Sequence, residues 1–139
     1  MFSCYLFVKH YEVEVSGSSL KGNIICGSTP GYEGGKGFDL EQTLAFLDEV
    51  NREITESGLA SIPCIVTEGT LVDRSDSGLY REGGYTFGFS WSPRIPAPER
   101  NIFYQTLMQY ANSLGDKMGQ ERMSVEFEGE TSVLRKKNS

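Results

Sequence analysis

Apolar and polar positions along the chain change period several times, and each change marks an element. From Cys4 to Val15 the run is apolar on both faces, then alternates as Val13 and Val15 interleave with Glu12 and Glu14, which predicts a strand. "SGSSLKG" turns, and "NIICG" is short, β-branched and apolar, so the two segments are expected to pair as a hairpin. After the glycine-rich stretch "CGSTPGYEGGKGFDLEQ" the period becomes helical, with Leu40, Leu44, Leu47, Val50 and Ile54 at three- and four-residue steps. Asp39 and Gln42 have capping-box spacing at its start, and Gly58 stands where a left-handed residue would end it.

"SIPCIVTEGTLVD" and "LYREGGYTFGFSWS" flank the turn "RSDSG" and predict a longer hairpin, with Gly83 and Gly84 expected to mark a bulge or bend. After "PRIPAP", Phe103, Leu107, Tyr110, Ala111 and Leu114 form a second helical stripe, expected to end near Gly115. "RMSVEFEGETSVL" is read as one last alternating strand. The order without the first strand is βαββαβ. That predicts an α+β, ferredoxin-like sandwich, two helices on one face of an antiparallel sheet, with an extra N-terminal strand. Residues 1–139 are expected to form a single domain, with 134–139 a frayed C-terminal tail.

Charge narrows the function classes. The chain carries a net charge of -6, and residues 39–57 hold six acids against one base, so most of the excess sits on the first helix. Such a face repels a phosphate backbone, and nucleic acid is not an expected partner. Cys4, Cys26 and Cys64 each lie in an apolar run with no CxxC pair, as suits buried free thiols in a reducing compartment. The start of the chain lacks a basic leader and a cleavage site, and no stretch has the length of a membrane span, so a cytoplasmic location without membrane contact is expected.

The glycine-rich stretch invites a phosphate-binding reading, which its spacing opposes. A Walker loop aligned on Gly35 and Lys36 would need glycine at Pro30 and Ser or Thr at Gly37; a dinucleotide fingerprint from Gly35 would need glycine at Leu40. Asp39 also places a negative charge at the helix cap. The stretch is therefore expected to be a surface connection whose Tyr32 and Lys36 reach a ligand held elsewhere.

In "YTFGFSWS", Tyr85, Phe87, Phe89 and Trp91 share one face and Thr86, Gly88, Ser90 and Ser92 the other. Four rings are expected to form the core under the helices. The opposite face would then be flat, hydroxyl-lined and uncovered, fit for a ligand or a second copy of the chain, with Tyr80 and Ser90 as contacts. Arg81 and Arg94 are candidates for a carboxylate or phosphate on a ligand. An exposed aromatic platform for single-stranded nucleic acid is the competing use of those rings.

Catalytic chemistry finds no assembled motif. His10 is the sole histidine, no G-x-S-x-G elbow surrounds a serine, and neither Cys26 nor Cys64 is followed by an arginine at phosphatase spacing. Glu126, Glu128 and Glu130, taken as one face of the last strand, could meet His10, Glu12 and Glu14 around a hard cation if the two strands were neighbours. An ordinary solvated face is the plainer account, and no metal or cofactor is assigned. The sequence thus points to a small acidic binding protein, more readily non-enzymatic than catalytic. It would engage a protein or small molecule through its open sheet face and glycine-rich loop, as a homo-oligomer. The alternative is a small enzyme acting on a phosphate-bearing or acidic metabolite, with divalent metal assistance.

Overall fold

The computed structural model describes residues 10–12, 14, 19–28, 37–75, 78–91 and 98–137, with backbone alone for residues 71, 73–75, 79 and 80. Five strands and two helices follow in the order β1 (Leu20–Gly27), α1 (Leu40–Glu56), β2 (Cys64–Ser75), β3 (Gly78–Trp91), α2 (Arg100–Lys117), β4 (Arg122–Phe127) and β5 (Glu130–Arg135). The antiparallel sheet has the spatial order β2-β3-β1-β4-β5. This is the expected split βαβ arrangement with one further strand at its edge.

Most of the expected strand over residues 4–15 lies outside the described residues, and residues 10–12 and 14 are in no strand. The last segment differs from its reading as one strand. It folds back at Glu128 and Gly129, whose φ angles of 51° and 82° suit a two-residue hairpin turn. Leu134 and Arg135 belong to β5, and the Lys136 N–H donates to the Glu121 carbonyl, so the chain is tied down into the stretch expected to fray.

Helix ends follow from local chemistry. Asp39 accepts from the Gln42 N–H and Gln42 returns a bond to the Asp39 N–H, completing the capping box. At the other end Gly58, with φ 92°, lets Leu59 and Gly58 donate to the Ile54 and Thr55 carbonyls. The second helix runs through Gly115, past its expected end, and closes the same way at Gly119, with Gln120 and Gly119 donating to Gly115 and Asp116. Gly115 lies inside the helix, and Met123 packs where its Cβ would stand.

Both helices cover one face of the sheet. Tyr85, Phe87, Phe89 and Trp91 are buried there with Ile24, Val125 and Phe127, beneath Leu47, Val50 and Ile54 of α1 and Phe103, Leu107, Tyr110, Ala111 and Leu114 of α2. Each large apolar side chain removed from water contributes about 1.5–3 kcal/mol before entropy is subtracted. The nucleic-acid platform is thereby overturned, since these rings lie under the helices. On α1 the inward stripe is Thr43, Leu47, Val50 and Ile54, whereas Leu40 and Leu44 are exposed. Thr43 is tolerated inside because its hydroxyl donates to the Asp39 carbonyl. Pairing between β2 and β3 is unbroken from Cys64–Phe89 to Ser75–Gly78, so Gly83 and Gly84 mark no bulge.

Candidate functional site

Strand register fixes what the uncovered face presents. One row runs Thr67, Thr86, Ile25, Ser124 and Val133 across all five strands; its neighbour runs Ile65, Gly88, Asn23, Glu126 and Thr131. The face is the expected mixture of hydroxyl and small residues, with aliphatic side chains added. Ile65 and Val133 are 76% and 65% exposed, and Ile25 is 43% exposed. Asn23 Nδ2 donates to Glu126 Oε1 across 3.0 Å.

At the end of this face where β1 meets β3 lies an open cavity of about 630 Å³. Ile25, Thr67, Thr86 and Ser124 line it from the sheet, and Glu82, Gln120, Glu121 and Arg122 supply its polar groups. The paired glycines Gly27 and Gly84 lie within it and carry no side chain to fill it. The Glu82 carboxylate occupies the space that a Gly27 Cβ would take. A Cβ on Gly84 would stand 2.9 Å from the Cys26 carbonyl oxygen, so this close backbone approach also requires glycine.

Gln120 braces the cavity from the end of α2. Its side chain is buried; Oε1 accepts from the Gly27 N–H at 3.0 Å, and Nε2 donates to the Met118 carbonyl at 3.2 Å. The last residue of β1 is thus held against the helix cap. Beneath it Cys26 faces the core with Sγ 3.9 Å from the Met118 sulfur, and burial, reinforced by the Glu82 carboxylate, pushes its thiol up to about 12. Such a thiol stays protonated and is a poor nucleophile.

The glycine-rich stretch leaves from this same end. Ser28 donates to the Gly83 carbonyl at 2.9 Å, Phe38 donates to the Ser28 carbonyl at 2.7 Å, and the Tyr85 hydroxyl donates to the Phe38 carbonyl at 2.8 Å. Tyr32, Lys36 and Arg94 lie outside the described residues. Tyr80 pairs with Asp73 in β3, and only its backbone is described. Arg81 pairs with Val72, is exposed, and projects from the face opposite its neighbour Glu82. Ser90 is exposed on the open face opposite Lys21, and its N–H donates to the Pro63 carbonyl at 3.1 Å. Arg81 and Ser90, nine positions apart on one strand, are not brought together.

The carboxylate set read along the last strand is corrected by the hairpin. Glu126 lies on the open face, Glu128 is in the turn, and Glu130 pairs with Phe127 on the other face. Among the described residues no group of three His, Cys, Asp or Glu side chains gathers as a metal site would require. Glu82, Gln120, Glu121 and Arg122 were missed because no motif joins them; the sheet register and the helix cap bring them together. The usable signal was a phase slip. Val125 and Phe127 point inward at odd positions and Leu134 at an even one, so a turn had to intervene.

The class of architecture is thus an α+β sandwich with one sheet face covered by the helices and the other left open among the described residues. Neither a protein-family model nor a curated protein sequence matches the chain. Two solved structures share its fold. A phage SAM lyase in its apo state superposes with a TM-score of 0.66 at 10% identity, covering 93% of this chain and 99% of that one. A phage SAM lyase in complex with S-methyl-5'-thioadenosine gives 0.60 at 11% identity, covering 91% and 96%. At these identities the likeness is one of fold. No helix among the described residues is long and apolar enough to cross a membrane.

Proposed function

We propose that this protein binds a small ligand of the S-adenosylmethionine type, or its thioether S-methyl-5'-thioadenosine, in the open-face cavity, and that it cleaves S-adenosylmethionine as a lyase. The observation that carries this reading is the end-to-end match, nearly the full length of both chains, to two phage SAM lyase structures. The cavity supports it: about 630 Å³ suits a nucleoside-sized molecule, and Ile25 offers an apolar contact beside hydroxyl donors on Thr67, Thr86 and Ser124. Glu82 and Glu121 supply negative charge for a sulfonium centre.

Within the same proposal, Tyr32 and Lys36 contact the ligand from the glycine-rich loop, whose ends Ser28 and Phe38 are clasped beside the cavity. Tyr80 adds a contact from the stretch of β3 before Glu82, whereas Arg81, which projects from the other face, is no part of this site. Ser90 lies towards the other end of β3 from the cavity, and the exposed Ile65 two positions along the sheet suits contact with a second copy of the chain.

The test is to incubate the protein with S-adenosylmethionine, follow release of S-methyl-5'-thioadenosine by chromatography, and titrate each compound by calorimetry. Binding with release is expected. Binding without release would leave a non-enzymatic small-ligand protein, the second reading, and no binding of either compound at millimolar concentration would overturn both.

A further inference from the structure

We propose that Arg122 and Arg135 form a clamp for a ligand carboxylate, which selects ligands that carry an amino-acid end; this rests on the S-adenosyl reading above. The β4–β5 register sets Arg122 directly opposite Arg135, and both side chains project from the open face. Like charges directly opposite on adjacent strands repel, so such a pair is at its most stable with an anion between its members. Neither guanidinium has an ion pair or hydrogen bond among the described residues, whereas Arg100 engages Glu128 and Lys117 engages Glu49 and Glu53.

Their position ties the pair to the cavity. Arg122 lines the open-face cavity, and Arg135 lines a second one of about 580 Å³ between α2 and the β4–β5 hairpin. Gln120 and Glu121 line both, Arg122 follows them directly in the chain, and the register sets Arg135 beside Arg122. Guanidinium forks match a carboxylate in geometry as well as charge. A ligand with its carboxylate on the arginines can direct a cationic sulfur towards Glu82 and Glu121. The arrangement fits a zwitterionic amino-acid head, which S-adenosylmethionine and S-adenosylhomocysteine possess and S-methyl-5'-thioadenosine lacks.

Calorimetry on the full chain with S-adenosylhomocysteine and S-methyl-5'-thioadenosine separates the clamp from the rest of the site. Arg122→Gln and Arg135→Gln are each expected to weaken S-adenosylhomocysteine by about ten- to a hundredfold. Affinity for S-methyl-5'-thioadenosine should be unchanged in Arg135→Gln, because Arg135 does not line the open-face cavity, and should fall far less than that for S-adenosylhomocysteine in Arg122→Gln; the thermal midpoint of the free protein should not fall in either. Equal loss for both ligands, or loss for neither, would overturn the clamp. If the wild type binds the thioether and gains nothing from the added amino-acid end, the clamp is overturned while the S-adenosyl reading stands. Failure to bind either compound overturns both.

Discussion

The Tyr110 hydroxyl donates to Asn51 Oδ1 on the facing helix and accepts the Ile62 N–H at 3.0 Å, so one buried phenol joins α2, α1 and the segment leading into β2. Its ring is fully buried, 4.6 Å from that of Phe89. Tyr110→Phe keeps the ring and removes both hydrogen bonds, leaving the Ile62 N–H without its acceptor. Urea denaturation is expected to show a loss of about 1–3 kcal/mol with an unchanged m-value.

Two glycines on the open face should answer oppositely to the same change. Gly84→Ala sets a methyl group against the Cys26 carbonyl, a backbone atom that cannot turn aside, and should cost about 1–3 kcal/mol. A Cβ on Gly69 meets nothing within 4 Å, so Gly69→Ala should stabilise by about 0.5–1 kcal/mol by reducing the freedom of the unfolded chain. Thermal or urea unfolding of the two variants checks the contrast.

Burial raises the thiols of Cys26 and Cys64 from 9.0 to about 12. The folded protein therefore keeps protons that the unfolded chain releases from about pH 9 upward. This stability is fully present below pH 9 and is lost as pH rises towards 12, by up to about 1.4 kcal/mol per pH unit for the buried Cys26. Burial raises the Tyr110 hydroxyl as well, which acts in the same sense. Urea midpoints at pH 8 and 10.5 should differ accordingly, and Cys26→Ala should make the decline shallower. An unchanged slope in that variant would show that Cys26 does not titrate as described.

Trp91 is the sole tryptophan and is 8% exposed, so its emission is expected to be blue-shifted and insensitive to added oligonucleotide at low salt. Quenching by oligonucleotide would contradict the burial of that face.

The proposed second copy on the open face can be checked by light scattering. A mass twice that of the chain is expected, reduced to the monomer by Ile65→Asp together with Val133→Asp. A wild-type monomer at micromolar concentration would remove the oligomer from the proposal.

The sandwich was legible because local signals agreed with one another: the two-residue period of Tyr85, Phe87, Phe89 and Trp91, the Asp39–Gln42 box, and Gly58 at a helix end. What escaped were choices settled by tertiary contacts. Thr43 turns inward while Leu44 stays out, because a hydroxyl bonded to a helix carbonyl can be buried without penalty. The turn at Glu128 and Gly129 escaped because it lacks the usual Asn-Gly signature. Without that turn Arg122 and Arg135 lie at opposite ends of one strand, and with it they face each other. The cavity was less visible still, since its polar residues come from β3, the end of α2 and β4.

The bond from Phe38 to the Ser28 carbonyl has a practical corollary. The chain between them leaves and returns at almost one point, so the sheet and first helix need not sense its length. Changing the length of such a connection costs only about 0.6 kcal/mol per doubling. The Ser28–Phe38 junction is therefore a natural point at which to vary the length of the chain, because the closing bond keeps the end of β1 and the start of α1 together.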